Sequence, residues 1–155
     1  MLTPGTTAPE IELLDLDGEV FRLADACKEG PVVIAFFKVS CPTCQMTFPF
    51  LQRLVEANRS KSQLIAVSQD STGDTREFHQ RLGVSMRTLV DAGPRYLPSN
   101  AYRIDSVPSI FVIRNDGIIE MAFDGFNKAA LEELGRRFGV ETFREGERVP
   151  ALRPG

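Results

Sequence analysis

The sequence has no tryptophan, one histidine and three cysteines. A structural zinc site needs about four ligands. Cys41 and Cys44 would supply two, and only Cys27 and His79 remain, so no metal is expected. An odd number of cysteines does not suggest a framework of structural disulfides; it suggests one close pair and a spare thiol. There is no excess of basic charge either. Lys and Arg number 18 against 21 Asp and Glu, for a net charge of −3, and they are scattered along the chain. A nucleic-acid surface would need a basic face, so no nucleic-acid partner is expected. No apolar run approaches the roughly 18 residues of a membrane span; the longest, Val32 to Phe37, is a strand's length. The opening Met1-Leu2-Thr3-Pro4-Gly5 lacks the basic and then apolar regions of a secretory signal. The expected compartment is therefore the cytoplasm, or an extracytoplasmic one if a leader has been trimmed away.

What is present suits one α/β domain. The chain has 155 residues, 43% hydrophobic and 25% charged, enough apolar content for a core and too much for disorder. Residues 1–140 are expected to form the domain and 141–155, polar and carrying Pro150 and Pro154, an extended tail. Ile11, Leu13, Val20 and Phe21 flank Asp15-Leu16-Asp17-Gly18, which predicts an N-terminal β-hairpin. Val32 to Phe37 is apolar without alternation, the pattern of a strand buried on both faces. A helix should follow to about Asn58, with Phe48, Leu51, Leu54 and Val55 inward and Pro49 kinking it. Gln63 to Val67, Thr88 to Val90, Ser109 to Ile113 and Ile118 to Phe123 read as strands. The last two flank Asn115-Asp116-Gly117, a hairpin turn. Helices are expected over Asp74 to Leu82, Arg95 to Tyr102 and Lys128 to Phe138, with a short helical turn around Ala24 to Lys28.

The chemistry concentrates in Cys41-Pro42-Thr43-Cys44, between a buried strand and a helix start. Pro42 suits the first helical position, where its missing N–H costs nothing, and that makes Cys41 the N-cap. A thiolate there accepts the free N–H groups of the first turn and faces the positive end of the helix dipole. Both effects favour the ionised form, which is the nucleophile. Cys44 lies one turn away on the same side, placed to attack a mixed disulfide on Cys41 and release the product. Val107-Pro108, ahead of an apolar strand, reads on its own as an ordinary trans loop proline; read together with the cysteine pair, it predicts a cis peptide beside Cys41. The Val107 backbone there would pair with an extended substrate segment.

Phe36-Phe37-Lys38-Val39-Ser40-Cys41-Pro42-Thr43-Cys44, with Pro49 five residues later, resembles the thioredoxin-fold active site, and Ser106-Val107-Pro108-Ser109 resembles its cis-proline loop. The N-terminal hairpin and the insert from Asp70 to Ala101 resemble the TlpA/ResA-like thiol-disulfide oxidoreductases of the AhpC/TSA and redoxin group. The resemblance spans roughly Pro9 to Phe138. It implies a three-layer α/β/α sandwich with a central mixed β-sheet and an N-terminal hairpin extension. It also implies disulfide exchange with protein thiols and disulfides, Cys41 attacking and Cys44 resolving, with Val107 and Pro108 shaping the substrate groove. Pro42, Thr43, Lys38, Ser40 and Thr47 support the pair. No bound cofactor is implied, since the Cys41–Cys44 disulfide carries the electrons; an external reductant or oxidant is needed. A monomer is expected, with a weak dimer as the alternative.

The sequence departs from the family in three places. Ser40 stands where a Trp is usual, Ala35 where thioredoxin has a buried Asp, and Thr47 where the ResA-like enzymes have a Glu. Water, or the hydroxyls of Thr43 and Thr47, would then relay the Cys44 proton. The alternative reading is a peroxiredoxin-like thiol peroxidase. Its P-x-x-x-T/S-x-x-C loop is not matched: Ile34 and Lys38 precede Cys41 at those positions, and Phe37 and Cys41 precede Cys44. Pro108 replaces its arginine, for which Lys38 would be the electrostatic substitute. A third reading is a non-catalytic thioredoxin-fold binding module. Cys27 is expected to be a small buried apolar residue and His79 an exposed surface one.

Overall fold

A computed structural model describes residues 1–155. Its first elements are the expected hairpin: β1 (Glu12–Leu14) pairs antiparallel with β2 (Val20–Arg22). The Asp15 carboxylate accepts the N–H groups of Asp17 and Glu19 inside the turn. Gly18 closes the turn at φ +81°, a backbone conformation glycine adopts without a Cβ clash. The Arg87 guanidinium lies 3.0 Å from Asp15 Oδ2, and the Leu16 N–H donates to the Thr88 carbonyl. These contacts tie the hairpin to an edge of the main sheet. The short helix α1 (Leu23–Cys27) follows and buries Cys27 in the core, as expected.

β3 (Val32–Phe37) is buried at every residue. It is the central strand of five, flanked by β4 (Gln63–Ser68) and β5 (Thr88–Val90) on one side and by β6 (Ser109–Ile113) and β7 (Ile119–Asp124) on the other. β3, β4 and β5 run parallel, while β6 and β7 are antiparallel to their neighbours. α2 (Pro42–Glu56) joins β3 to β4, and α3 (Thr72–Leu82) joins β4 to β5. Two right-handed crossovers stepping in one direction put both helices on the same face. Phe37 meets Phe48 of α2 at 4.4 Å and Phe78 of α3 at 4.8 Å on that face. Its neighbour Phe36 points to the opposite face and meets Tyr102, just past α4 (Leu97–Ala101), at 5.3 Å. Helices therefore cover both faces of a mixed sheet, in the expected three layers. Burying a side chain of this size contributes about 1.5–3 kcal/mol, and each aromatic pair about 0.5–1.5 kcal/mol more. Both layers are thus fastened at the end of β3, directly before the cysteine pair.

β8 (Phe126–Asn127) leads into α5 (Lys128–Phe138), whose Asn127 side chain accepts the Ala130 N–H as an N-cap. Leu131, Leu134 and Phe138 point inward as their spacing predicts. No helix is long and apolar enough to cross a membrane.

The C-terminal region and His79 differ from expectation. Residues 142–155 fold back onto the domain. Thr142 is buried and donates its hydroxyl to the Leu131 carbonyl at 2.7 Å. Phe143 packs on Phe50 at 4.9 Å. Glu147 forms a two-pronged ion pair with Arg53, both contacts at 2.6 Å. Leu152–Arg153 forms β9, antiparallel to β8. The polar composition hid one aromatic anchor and one charge clamp. His79, expected on the surface, is part-buried, with Nε2 2.9 Å from Thr88 Oγ1.

Candidate active site

The site lies at the carboxyl ends of β3 and β4, where parallel strands open a crevice between their connections. α2 starts there with Pro42 at its first position and Cys41 as N-cap, in extended backbone at φ −81° and ψ 115°. The Cys41 sulfur accepts the Cys44 N–H at 3.2 Å, satisfying one of the orphan donors of the first turn. The Cys41 thiol in turn donates to the Val107 carbonyl at 3.3 Å. Cys41 is part-buried and Pro42 exposed, while Cys44 is fully buried. The pair therefore has an outer and an inner member, both free thiols.

Burial pushes the Cys44 thiol far above its ordinary range; contact with Cys41 and the negative charge of Asp70 add to the rise, while the Lys38 backbone amide opposes it. No carboxylate hydrogen-bonds the Cys44 sulfur. The two hydroxyls expected to relay its proton are both engaged elsewhere. Thr47 donates to the Thr43 carbonyl at 2.7 Å, and Thr43 donates to the Pro154 carbonyl at 2.7 Å.

The loop before Cys41 is held from three sides. The Cys41 N–H donates to the Lys38 carbonyl at 3.2 Å. The Gln45 amide donates to the Val39 carbonyl at 2.9 Å, and the Val39 N–H donates to Asp70 Oδ2 at 2.8 Å. The side chains of Lys38 and Ser40 point into solvent, so Lys38 acts on the pair through its peptide groups. Asp70 and Gln45 are absent from the sequence-derived set. The signal for Asp70 was its place just after a buried parallel strand, at the sheet end that carries sites.

The second loop is pinned as firmly. The Val107–Pro108 peptide is cis. The Pro108 carbonyl accepts the Gly125 N–H at 2.8 Å. Ser109 donates its hydroxyl to the Ser106 carbonyl at 2.7 Å, and Ser106 to Asp124 at 2.9 Å. Cys41, Cys44, Val107 and Pro108 are thereby brought to one place, with Pro42, Thr43 and Thr47 on the helix beneath. Such an arrangement can hold a nucleophilic thiol, a second thiol one turn away, and a backbone edge for an extended chain.

Comparison with known proteins agrees with this geometry. The model described as the AhpC/TSA family matches residues 4–122. The thiol-disulfide oxidoreductase ResA of Geobacillus kaustophilus (strain HTA426) is 27% identical over 123 residues, covering 78% of this chain and 69% of that one. The thioredoxin domain of a thiol-disulfide oxidoreductase from Bacteroides vulgatus superposes with a TM-score of 0.77 at 21% identity, over 89% of this chain and 99% of that one. A thiol:disulfide interchange protein from a Bacteroides species gives a TM-score of 0.74 at 20% identity, over 89% and 91%. These two likenesses establish the thioredoxin fold.

Proposed function

The chain belongs to the AhpC/TSA family, and on that premise we propose that it is a thiol-disulfide oxidoreductase acting on protein disulfides through Cys41 and Cys44. The observation that carries the reading is the position of the Cys41 sulfur. It caps α2 through the Cys44 N–H, faces the Val107 carbonyl and is part-exposed, whereas Cys44 is buried.

Cys41 attacks as thiolate. Its sulfur bonds to one sulfur of the partner's disulfide, the partner's S–S bond breaks, and the departing partner thiolate takes a proton. Cys44 then loses its proton and attacks the Cys41 sulfur. The mixed disulfide breaks, the second partner thiolate leaves and is protonated, and Cys41–Cys44 is left oxidised. Two electrons and two protons have passed from the pair to the partner. No bound cofactor is required, since sulfur carries the electrons, and an external dithiol restores the pair. Run in reverse, the same steps oxidise a partner dithiol; the reduction potentials of the two couples set the direction. Val107 and Pro108 offer the partner segment a backbone edge, and the N-terminal end of α2 stabilises the attacking sulfur.

The experiment is reduction of a protein disulfide with dithiothreitol as the source of electrons. The wild-type chain turns over, and Cys41→Ser falls to the uncatalysed rate. Undiminished turnover in Cys41→Ser would remove the assignment.

A further inference from the structure

Residues 150–155 lie across the mouth of the Cys41 site. The Ala151 carbonyl accepts the Lys128 N–H at 2.9 Å, the first amide of α5, which no group inside the helix can satisfy. Leu152 and Arg153 pair with Asn127 and Phe126. Thr43 donates its hydroxyl to the Pro154 carbonyl at 2.7 Å. Gly155 rests flat on Val107, so close that a Cβ there would collide with the Val107 carbonyl. That carbonyl is the acceptor of the Cys41 thiol. Gly125 completes the track. Its N–H donates to the Pro108 carbonyl, and it leaves room for Arg153, whose carbonyl a side chain at 125 would strike.

The segment is held differently from the one before it. Residues 142–149 are anchored by the buried Thr142, by Phe143 against Phe50, and by the Arg53–Glu147 clamp. Residues 150–155 are all exposed, Leu152 at 70%, so their docking rests mainly on backbone contacts. Strand addition of that kind draws its affinity from main-chain hydrogen bonds, and none of the segment's own side chains is drawn from the core.

We propose that residues 150–155 are a displaceable strap, filling as an added strand the groove in which an extended partner segment pairs beside Val107. The proposal rests on the reading of Cys41 as the exchange nucleophile. Tethered at Val149, the strap competes at high effective concentration. Docked nine-tenths of the time, it would raise the apparent partner KM about tenfold. A small disulfide needs no strand pairing and reaches the part-exposed Cys41 past it.

Three forms test this: the full chain, full-length Gly155→Val, and a chain ending at Val149. In both variants the KM for a peptide disulfide is expected to fall about three- to tenfold, while the rate with a small aromatic disulfide changes less than about twofold. In the shortened chain the Lys128 amide should exchange its hydrogen faster. Gly155→Val keeps the full length, so the result does not hang on how the shortened chain folds. An equal peptide KM in the full chain and Gly155→Val, or unchanged Lys128 exchange, overturns the strap. A full chain that reacts with neither disulfide overturns the exchange reading itself, which keeps the two failures apart.

Discussion

The thiol of Cys41 and the carbonyl of Val107 face each other at 3.3 Å, joining two loops 66 residues apart in sequence. Cys44 meets the same sulfur through its backbone N–H at 3.2 Å and has no exposed surface of its own. On the proposed reading a partner reaches Cys41 first, and Cys44 acts only on what Cys41 has already bound.

That order makes Cys44→Ser a trap. The first step remains, the second is lost, and a partner disulfide leaves half of itself attached to Cys41. Mass spectrometry should find a one-to-one adduct that persists until dithiothreitol is added, while turnover falls to background. Absence of any adduct on Cys41 would mean that it is not the entry point.

Asp70 acts on the pair in two opposing ways. Its carboxylate holds the Val39 N–H at 2.8 Å, and its charge disfavours the Cys44 thiolate. Asp70→Asn keeps an oxygen for Val39 and removes the charge. Release of the mixed disulfide should quicken, by less than about tenfold because the charge is only one of several causes, with little change in melting temperature. Asp70→Ala leaves a part-buried N–H unpaired, at a cost of about 1–3 kcal/mol. If single-turnover release is slower in Asp70→Asn, the electrostatic role assigned to Asp70 is wrong.

Phe37 is where stability and site meet. It is fully buried, packed at a tilt between Phe48 and Phe78, at the end of β3 before the loop that leads to Cys41. Phe37→Ala should destabilise by about 3–5 kcal/mol and lower the melting temperature by about 6–20 °C. A loss under 1 °C would show that α2 and α3 are not fastened through this ring.

These positions differ in how far the sequence alone discloses them. The Cys41 cap and Pro42 at the helix start follow from local rules, because one turn of helix contains every group involved. The buried β3 is legible because six apolar residues in a row leave few alternatives. The Val107–Pro108 loop is legible only when its proline is read together with the cysteine pair, since the proline alone fits an ordinary loop. Asp70 and the strap escaped because their contacts are long-range and made to backbone. A carboxylate accepting a distant N–H, or a polar segment docking by its own carbonyls, leaves no periodicity in the side chains. Glu147 looks like any surface acid until Arg53 is seen beside it. His79 looked exposed because its neighbours Glu77 and Gln80 are polar, whereas its own side of α3 turns toward Thr88.

His79 leads to a pH dependence whose sign can be worked out. Burial, and then the charge of Arg76, hold its pKa below the ordinary 6.5. Thr88 spends its hydroxyl proton on the Met86 carbonyl at 3.0 Å, so it can only accept from His79, whose Nε2 carries the hydrogen of a neutral ring. Above pH 6.5 the ring is neutral in folded and unfolded chains alike and does not affect stability. Below 6.5 the unfolded chain takes up the proton while the folded one resists. Stability therefore falls as the pH drops from 6.5 to the folded pKa, by at most about 1.4 kcal/mol per pH unit, and levels off once both states are charged. This is the only histidine in the chain, so the effect can be assigned to it. Melting temperatures followed from pH 7.5 to 5 should decline in the wild-type chain and decline less steeply in His79→Gln. Parallel curves for the two proteins would mean that His79 titrates alike in both states and that its burial carries no electrostatic cost.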